Sequence, residues 1–263
     1  MFISLLAILA LSAIMNIEFT NAIDQAGRDA VVYWHNYFRA ELAQGRVKNK
    51  TGEFLPKAKD MHKMEFSLEL EKQAQAWADK CTYSHSNPYG NYGENFYAYA
   101  RRDDDAAAIE YVVKGWWSEL EYRGALGPYP GQDCVAFDAP QNNRGIGHWT
   151  QLAWWNTYQV GCGIGRCPKY NSYVVCQYKP PGNVYTRCVY RAGEPCTDCP
   201  NKCDNHLIYD VYIRVGFYEL MINHMSYDGF PDGNIYPTCV YHAGEPCTSC
   251  PDKCDDETEL CLN

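Results

Sequence analysis

The 263-residue chain is short of three things. After the first 22 residues, no stretch carries 18 apolar residues in a row, so no membrane-spanning helix is expected there. Basic runs are missing too: Arg101-Arg102 is followed at once by Asp103, Asp104 and Asp105, and 23 Lys and Arg face 32 Asp and Glu. A net charge of −9 without a basic patch offers nucleic acid or heparin no electrostatic footprint, and neither is expected as a partner. Finally, neither GxSxG nor HExxH occurs, and no local pattern marks a catalytic serine or cysteine.

What is present points outside the cell. Residues 1–22, MFISLLAILALSAIMNIEFTNA, form an apolar run too short to span a bilayer, then a polar stretch ending on the small residue Ala22. That is the pattern of a secretory signal peptide. Its loss removes Glu18, leaving 23 basic against 31 acidic residues, a charge of −8, on a chain that begins at Ile23. Fourteen cysteines suit an oxidising, extracellular setting, and their even number permits full pairing. Asn49-Lys50-Thr51 is the one glycosylation sequon and needs only surface exposure to be used.

The chain then reads as one sizeable domain with an appendage. Val31, His35, Phe38 and Leu42 follow helical spacing, with Gly45 placed to stop the helix. A second helix opens at the N-cap Ser67, with Glu69 and Glu71 in its first turn, buries Leu70, Ala74, Trp77 and Ala78, and delivers Cys81 to its end. A third is expected from Asp103 to about Tyr122 with the stripe Ile109, Val112, Trp116 and Leu120. Glu119 leans toward that stripe, and a carboxylate there wants a partner. Strands are expected over Gln159 to Ile164 and Ser172 to Lys179. Helices and strands mix without regular alternation, which indicates an α+β layered domain.

The end of the chain is duplicated. Residues 182–204 and 233–255 match at 17 of 23 positions, as if an exon had been copied whole. The cysteine-free residues between, 205–232, fit a strand as well as a helix.

Four side chains stand near aromatic or glycine turns: His85 in "YSHSNP", Glu94 in "YGENF", Glu119 in "WWSEL" and His148 in "GIGHWT". Two imidazoles and two carboxylates in one cleft can exchange protons, or form a two-histidine metal site with carboxylates orienting the rings. From spacing alone, the favoured reading is four satisfied polar groups bracing loops over the core. His35 lies in an apolar row and reads as a core histidine. Tyr89, Tyr92, Phe96, Tyr97 and Tyr99 can line a lipid or sterol groove, or be ordinary strand residues.

"GHWTQLAWWNT" (residues 147–157) and "YVVCQYKPPGNV" (residues 173–184) resemble the two signatures of the CAP superfamily, the cysteine-rich secretory, antigen 5 and pathogenesis-related class 1 proteins. "HNYFR", "AQAWADKC", "HS", "YGEN" and "WWSEL" follow the family's order, and "LPKAKDMHKM" is most similar to nematode venom-allergen-like secreted proteins. The resemblance implies a three-layer α-β-α sandwich with a small cysteine-rich tail, and a groove holding His85, Glu94, Glu119 and His148. It reverses the bracing reading, and it implies a divalent cation such as zinc on His85 and His148. The divisions that follow are a signal peptide over 1–22, the CAP domain over 23–184, hinge-like repeats over 185–204 and 233–263, and a linker over 205–232.

The resemblance also implies the disulfides Cys81 with Cys167, Cys162 with Cys176, Cys247 with Cys254 and Cys250 with Cys261. In the first repeat Cys196 would take Cys203. Cys134, Cys188, Cys199 and Cys239 remain unassigned, and the family's usual partner for Cys134 is missing, because Phe66, Ser67 and Leu68 stand where it would be.

The function expected is that of a secreted binding protein for a lipid or sterol, or for a host or receptor protein, with a metal-capable tetrad. The alternatives are a metal-assisted hydrolase using Glu94 or Glu119 as base, and a protein antagonist whose groove is only scaffolding. Removing residues 205–263 is expected to leave one cooperative thermal transition, and calorimetry of the truncated chain checks this.

Overall fold

The computed structural model describes residues 22–86 and 91–198, with the backbone of residues 203–204 and 260–261. Helix α1, Gln25–Ala43, starts where the Asp24 carboxylate accepts the Gly27 N–H, and stops before Gly45, whose φ of +70° suits a residue without a Cβ. Strand β1, Glu65–Phe66, leads into helix α2, Leu68–Ala78, which Ser67 caps as its sequence predicts. Strand β2, Gly93–Tyr99, precedes helix α3, Asp105–Trp117, and the short helix α4, Glu119–Arg123.

A single helix had been expected over this last stretch. The chain instead interrupts it at Ser118, whose hydroxyl donates to the Gly115 carbonyl and competes with the helix ladder. Strand β3, Cys134–Phe137, and the short helices α5, Ala139–Asn142, and α6, Gly147–Leu152, come next. Strands β4, Gln159–Gly165, β5, Ser172–Lys179, and β6, Arg187–Arg191, follow, then the pair β7, Cys203–Asp204, and β8, Leu260–Cys261.

The central sheet runs β1-β4-β5-β2, with β1 parallel to β4 and the other neighbours antiparallel. Helix α2 covers one face, while α1 and α3 pack on each other and cover the other. This is the expected three-layer α-β-α sandwich. Gly161 and Gly163 let α2 lie directly on β4, because a Cβ at either would run into the backbone of Glu71 or Gln75. The expected apolar stripe is buried, with Ile109, Val112 and Trp116 of α3 and Leu120 of α4 at 2% exposure or less.

Cys81–Cys167 and Cys162–Cys176 form the disulfides that the family resemblance implies. A third bridge, Cys134–Cys188, gives Cys134 a partner across the β3–β6 ribbon. Strand β6 belongs to the first hinge-like repeat, yet its Val189 and Tyr190 are fully buried in the main core. Cys196 is also disulfide-bonded. Register puts the backbone of Cys203 opposite Cys261. The expected bridges Cys247–Cys254 and Cys250–Cys261 and the side chain of Cys203 lie outside the described residues, as do Cys199, Cys239 and the 1–21 portion of the leader.

Two ionisable groups of α1 buried in the main body set its chemistry. Arg39 of α1 is fully buried and makes no ion pair among the described residues; its guanidinium donates to the carbonyls of His62, Leu152, Trp154, Trp155 and Thr157. Burial pushes its pKa down to about 9, with Asp60 and Tyr178 pulling the other way, so it stays a cation at neutral pH. An apolar side chain supplies none of these donors, and each buried acceptor left unsatisfied costs about 1–3 kcal/mol.

His35, four residues earlier, is the core histidine that its apolar row predicts. It donates from Nδ1 to the Val31 carbonyl at 2.7 Å and accepts the Tyr178 hydroxyl at Nε2 at 3.0 Å, the tautomer that a carbonyl at Nδ1 requires. Burial, reinforced by Arg39 and opposed by the Val31 bond, pushes it from 6.5 down to about 4. Its stabilising contribution is therefore present above pH 6.5 and lost as pH falls toward 4. Asp60 is pushed by burial the other way, to about 6, despite the Arg191 N–H it accepts, so its contribution is present below 3.8 and lost as pH rises through about 6. Between pH 6.5 and 4 the two effects oppose one another. The melting temperature of His35→Gln is expected to fall less than that of the parent chain on acidification to pH 4, and that of Asp60→Asn to fall more, as read by calorimetry across the range.

Candidate functional site

Helix α6 begins at Gly147 without a side-chain cap of its own. Its first N–H groups need acceptors. Glu119, at the start of α4, supplies them from another part of the chain: one carboxylate oxygen accepts the N–H groups of His148 and Trp149 at 3.0 and 3.1 Å, and the other faces His148 Nδ1 at 2.6 Å. One carboxylate thus caps the helix and orients the imidazole. The His148 ring stacks on Trp116, with centroids 5.7 Å apart and planes within 15°.

The second pair is built on β2. Glu94 accepts from His85 Nδ1 at 3.0 Å, the Ser86 N–H at 2.8 Å, the Ser86 hydroxyl, and Gln177 Nε2 at 3.0 Å. Gln177 reaches it because β5 places that residue directly opposite Glu94 in the antiparallel register. Burial works to raise the Glu94 carboxyl, but the bonds from His85, Ser86 and Gln177 outweigh it and hold the group below the usual carboxylate range. The two rings differ in access: the His85 side chain is 56% exposed and that of His148 33%. His85 also meets Phe96 edge-on at 4.7 Å.

Asn95 joins the halves. Next to Glu94 on the strand, it donates to the His148 carbonyl at 3.1 Å and to the Tyr178 hydroxyl at 3.4 Å, and Tyr178 in turn bonds His35. All four predicted residues therefore sit in two His–carboxylate pairs on adjoining elements. In both, Nδ1 is committed to a carboxylate, which leaves Nε2 without a hydrogen-bond partner among the described residues. That arrangement fits histidines kept ready to ligate a cation, with the carboxylates fixing the tautomer from behind. The described residues hold no group of three or more His, Cys, Asp or Glu that could hold a metal.

Asn95, Gln177, Tyr178 and Ser86 were not singled out by the sequence. Each lies beside a motif residue, and only the pairing of β2 with β5 and the docking of α6 against β2 reveal their contacts. The density of the stretch over residues 147–157 has a related cause. Thr150 donates to Asn183, Asn183 donates to the Gly147 carbonyl, and Gln151 accepts the Gly182 N–H, so the two motifs bond to each other. Trp149, Leu152 and Trp154 are buried beneath them.

The aromatic strip does not form one wall. Alternation along β2 sends Phe96 to Tyr83, Tyr173 and His85, and sends Tyr97 and Tyr99 to the opposite face, against Tyr111 of α3. Tyr92 bonds the Ser86 hydroxyl, and Tyr89 lies outside the described residues.

A family model described as CAP, cysteine-rich secretory protein family, matches residues 32–178. Human cysteine-rich secretory protein 2 is 38% identical over 179 residues, which are 62% of this chain and 68% of that protein. The Ancylostoma secreted protein of Ancylostoma caninum is 36% identical over 177 residues, 65% of this chain but 40% of that protein. Among solved structures, the crystal structure of NaASP2 with Zn2+ has a TM-score of 0.65 and 34% identity, over 72% of this chain and 96% of that one. The structure of BmVAL-1 has a TM-score of 0.61 and 32% identity, over 70% of this chain and 89% of that one.

Because Glu119 satisfies two helix N–H groups as well as a ring, Glu119→Ala is expected to cost about 1–3 kcal/mol. Glu119→Gln, which retains an acceptor oxygen but loses the charge, is expected to cost less. Denaturant unfolding of both variants checks the order.

Proposed function

The chain belongs to the CAP, or cysteine-rich secretory protein, family, and on that footing we propose a secreted binding protein whose His85 and His148 take a divalent cation and whose surface recognises a host or receptor protein. Secretion is supported by the leader pattern of residues 1–22, by the three disulfides of the main body, and by the names of the relatives. No helix among the described residues is long and apolar enough to cross a membrane.

The observation that carries the cation reading is the orientation of the two rings. Each Nδ1 donates to a carboxylate, so each Nε2 lone pair faces away from its brace. Zinc accepts neutral imidazole nitrogen, and solvent or a ligand would complete a two-histidine set. A bound divalent cation supplies a Lewis-acidic centre; the protein's part is to hold both imidazoles in a fixed orientation, through Glu94 and Glu119. The neighbour solved with zinc is in keeping with this reading.

Recognition of a protein is preferred to a lipid or sterol groove because the strand divides the aromatic residues between two faces. The metal-assisted hydrolase stands behind both. It needs Glu94 or Glu119 as base, and both carboxylates are already engaged, Glu94 by His85, Ser86 and Gln177 and Glu119 by the His148 ring and two helix N–H groups.

Native mass spectrometry of the full chain with and without added zinc tests the proposal. One zinc per chain is expected in the parent protein and none in the His85→Ala, His148→Ala double variant. A parent chain that stays zinc-free would leave the pairs as structural braces, and a co-purified lipid mass would overturn the preference for a protein partner.

A further inference from the structure

Asn49-Lys50-Thr51 satisfies the acceptor pattern for N-glycosylation, but the amide of Asn49 is already engaged. Its Nδ2 donates to the Ala125 carbonyl at 2.8 Å, and its Oδ1 accepts the Ala125 N–H at 2.9 Å and the Lys50 N–H at 2.9 Å. A donor opposite Oδ1 and an acceptor opposite Nδ2 fix which way the amide faces. Ala125 is buried in the main core, at 4% exposure. The Asn49 backbone is committed as well: its N–H donates to the Glu53 carbonyl, and its own carbonyl accepts the Gly52 N–H.

An amide that pairs with the N–H and the C=O of one residue uses a single edge. That edge carries its oxygen and the N–H lying on the same side as the oxygen. N-glycosylation turns the primary amide into a secondary one, and secondary amides strongly prefer the trans form, in which the substituent sits on the oxygen's side and the remaining N–H points away. The sugar would take the place of the hydrogen that the Ala125 carbonyl accepts.

We propose that a glycan on Asn49 and the docking of Ala125 are mutually exclusive, so that the folded protein carries Asn49 unmodified and uses it as a clip. The clip ties the turn around Asn49 to the segment that leaves α4, the helix that carries Glu119. Arg144 holds the same segment by donating to the carbonyls of Arg123 and Gly124, and Gln141 holds it through both backbone groups of Leu126. A chain glycosylated before folding would reach this segment with one tie missing.

The test is to secrete the full chain from eukaryotic cells beside a reporter glycoprotein that verifies their glycosylation, and to map the Asn49 peptide of the folded fraction by mass spectrometry. Asn49 is expected to be unmodified, and Thr51→Ala, which destroys the sequon but keeps the clip, to change the mass only by the substitution itself and to leave the melting temperature unchanged. Arg144→Ala, which loosens the segment, is expected to give a detectable glycosylated fraction where the parent chain has none. A parent protein glycosylated throughout at Asn49, melting at the temperature of Thr51→Ala, would overturn the proposal.

Discussion

The placement of His148 depends first on the buried guanidinium of Arg39. Its donors reach carbonyls at the end of α6 and along the stretch that runs from there into β4, more than 110 residues away in the chain. A positive charge at the end of a helix also complements the partial negative charge of its last carbonyls. Helix α6 is therefore held at both ends by ionic groups from elsewhere, Glu119 at its start and Arg39 past its finish. His148 owes its position to both. A helix of six residues has too few internal bonds to persist alone.

A second line of buried polar contacts passes through His35, Tyr178 and Asn95 to the His148 carbonyl. Every member is oriented by the next, so the tautomer of His35, set by the Val31 carbonyl, fixes the direction in which Tyr178 donates. Such networks have a single satisfied arrangement and favour one packing of the elements that contribute to them. The Glu94 pair stands outside this line, nearer to solvent, and relies on Ser86 and Gln177 instead. The site thus joins one half rooted in the core to another supported from the sheet surface.

The layers, the second helix with its cap, both long strands and two of the disulfides were legible in the sequence because local periodicity, capping chemistry and family motifs agreed there. The four candidate residues stood out beside their motifs, but the shared groove was an implication of the resemblance, and the pairing of His85 with Glu94 and His148 with Glu119 comes from contacts between separate elements. Arg39 was not legible as a core residue. Charge in a helical stripe reads as surface, and the carbonyls that satisfy it come from a distant stretch. The interruption at Ser118 escaped because a serine in a helical pattern does not announce that its hydroxyl will turn back on Gly115. Cys134 with Cys188 was hidden because β6 lies in a repeat that looks like an appendage, while its Val189 and Tyr190 complete the core.

The glycine alternation of β4 acts on more than packing. Gly161, Gly163 and Gly165 all turn to α2, while Cys162 between them faces the main core and bridges to Cys176, its register partner on β5. A slip of one residue would aim Cys162 and Ile164 at the backbone of α2, where there is no room for a Cβ, and would carry the thiol away from Cys176. Oxidation of that pair is accordingly subject to a steric check. Seating the helix on the strand selects the thiols allowed to meet, so packing proofreads the covalent bond during oxidative folding.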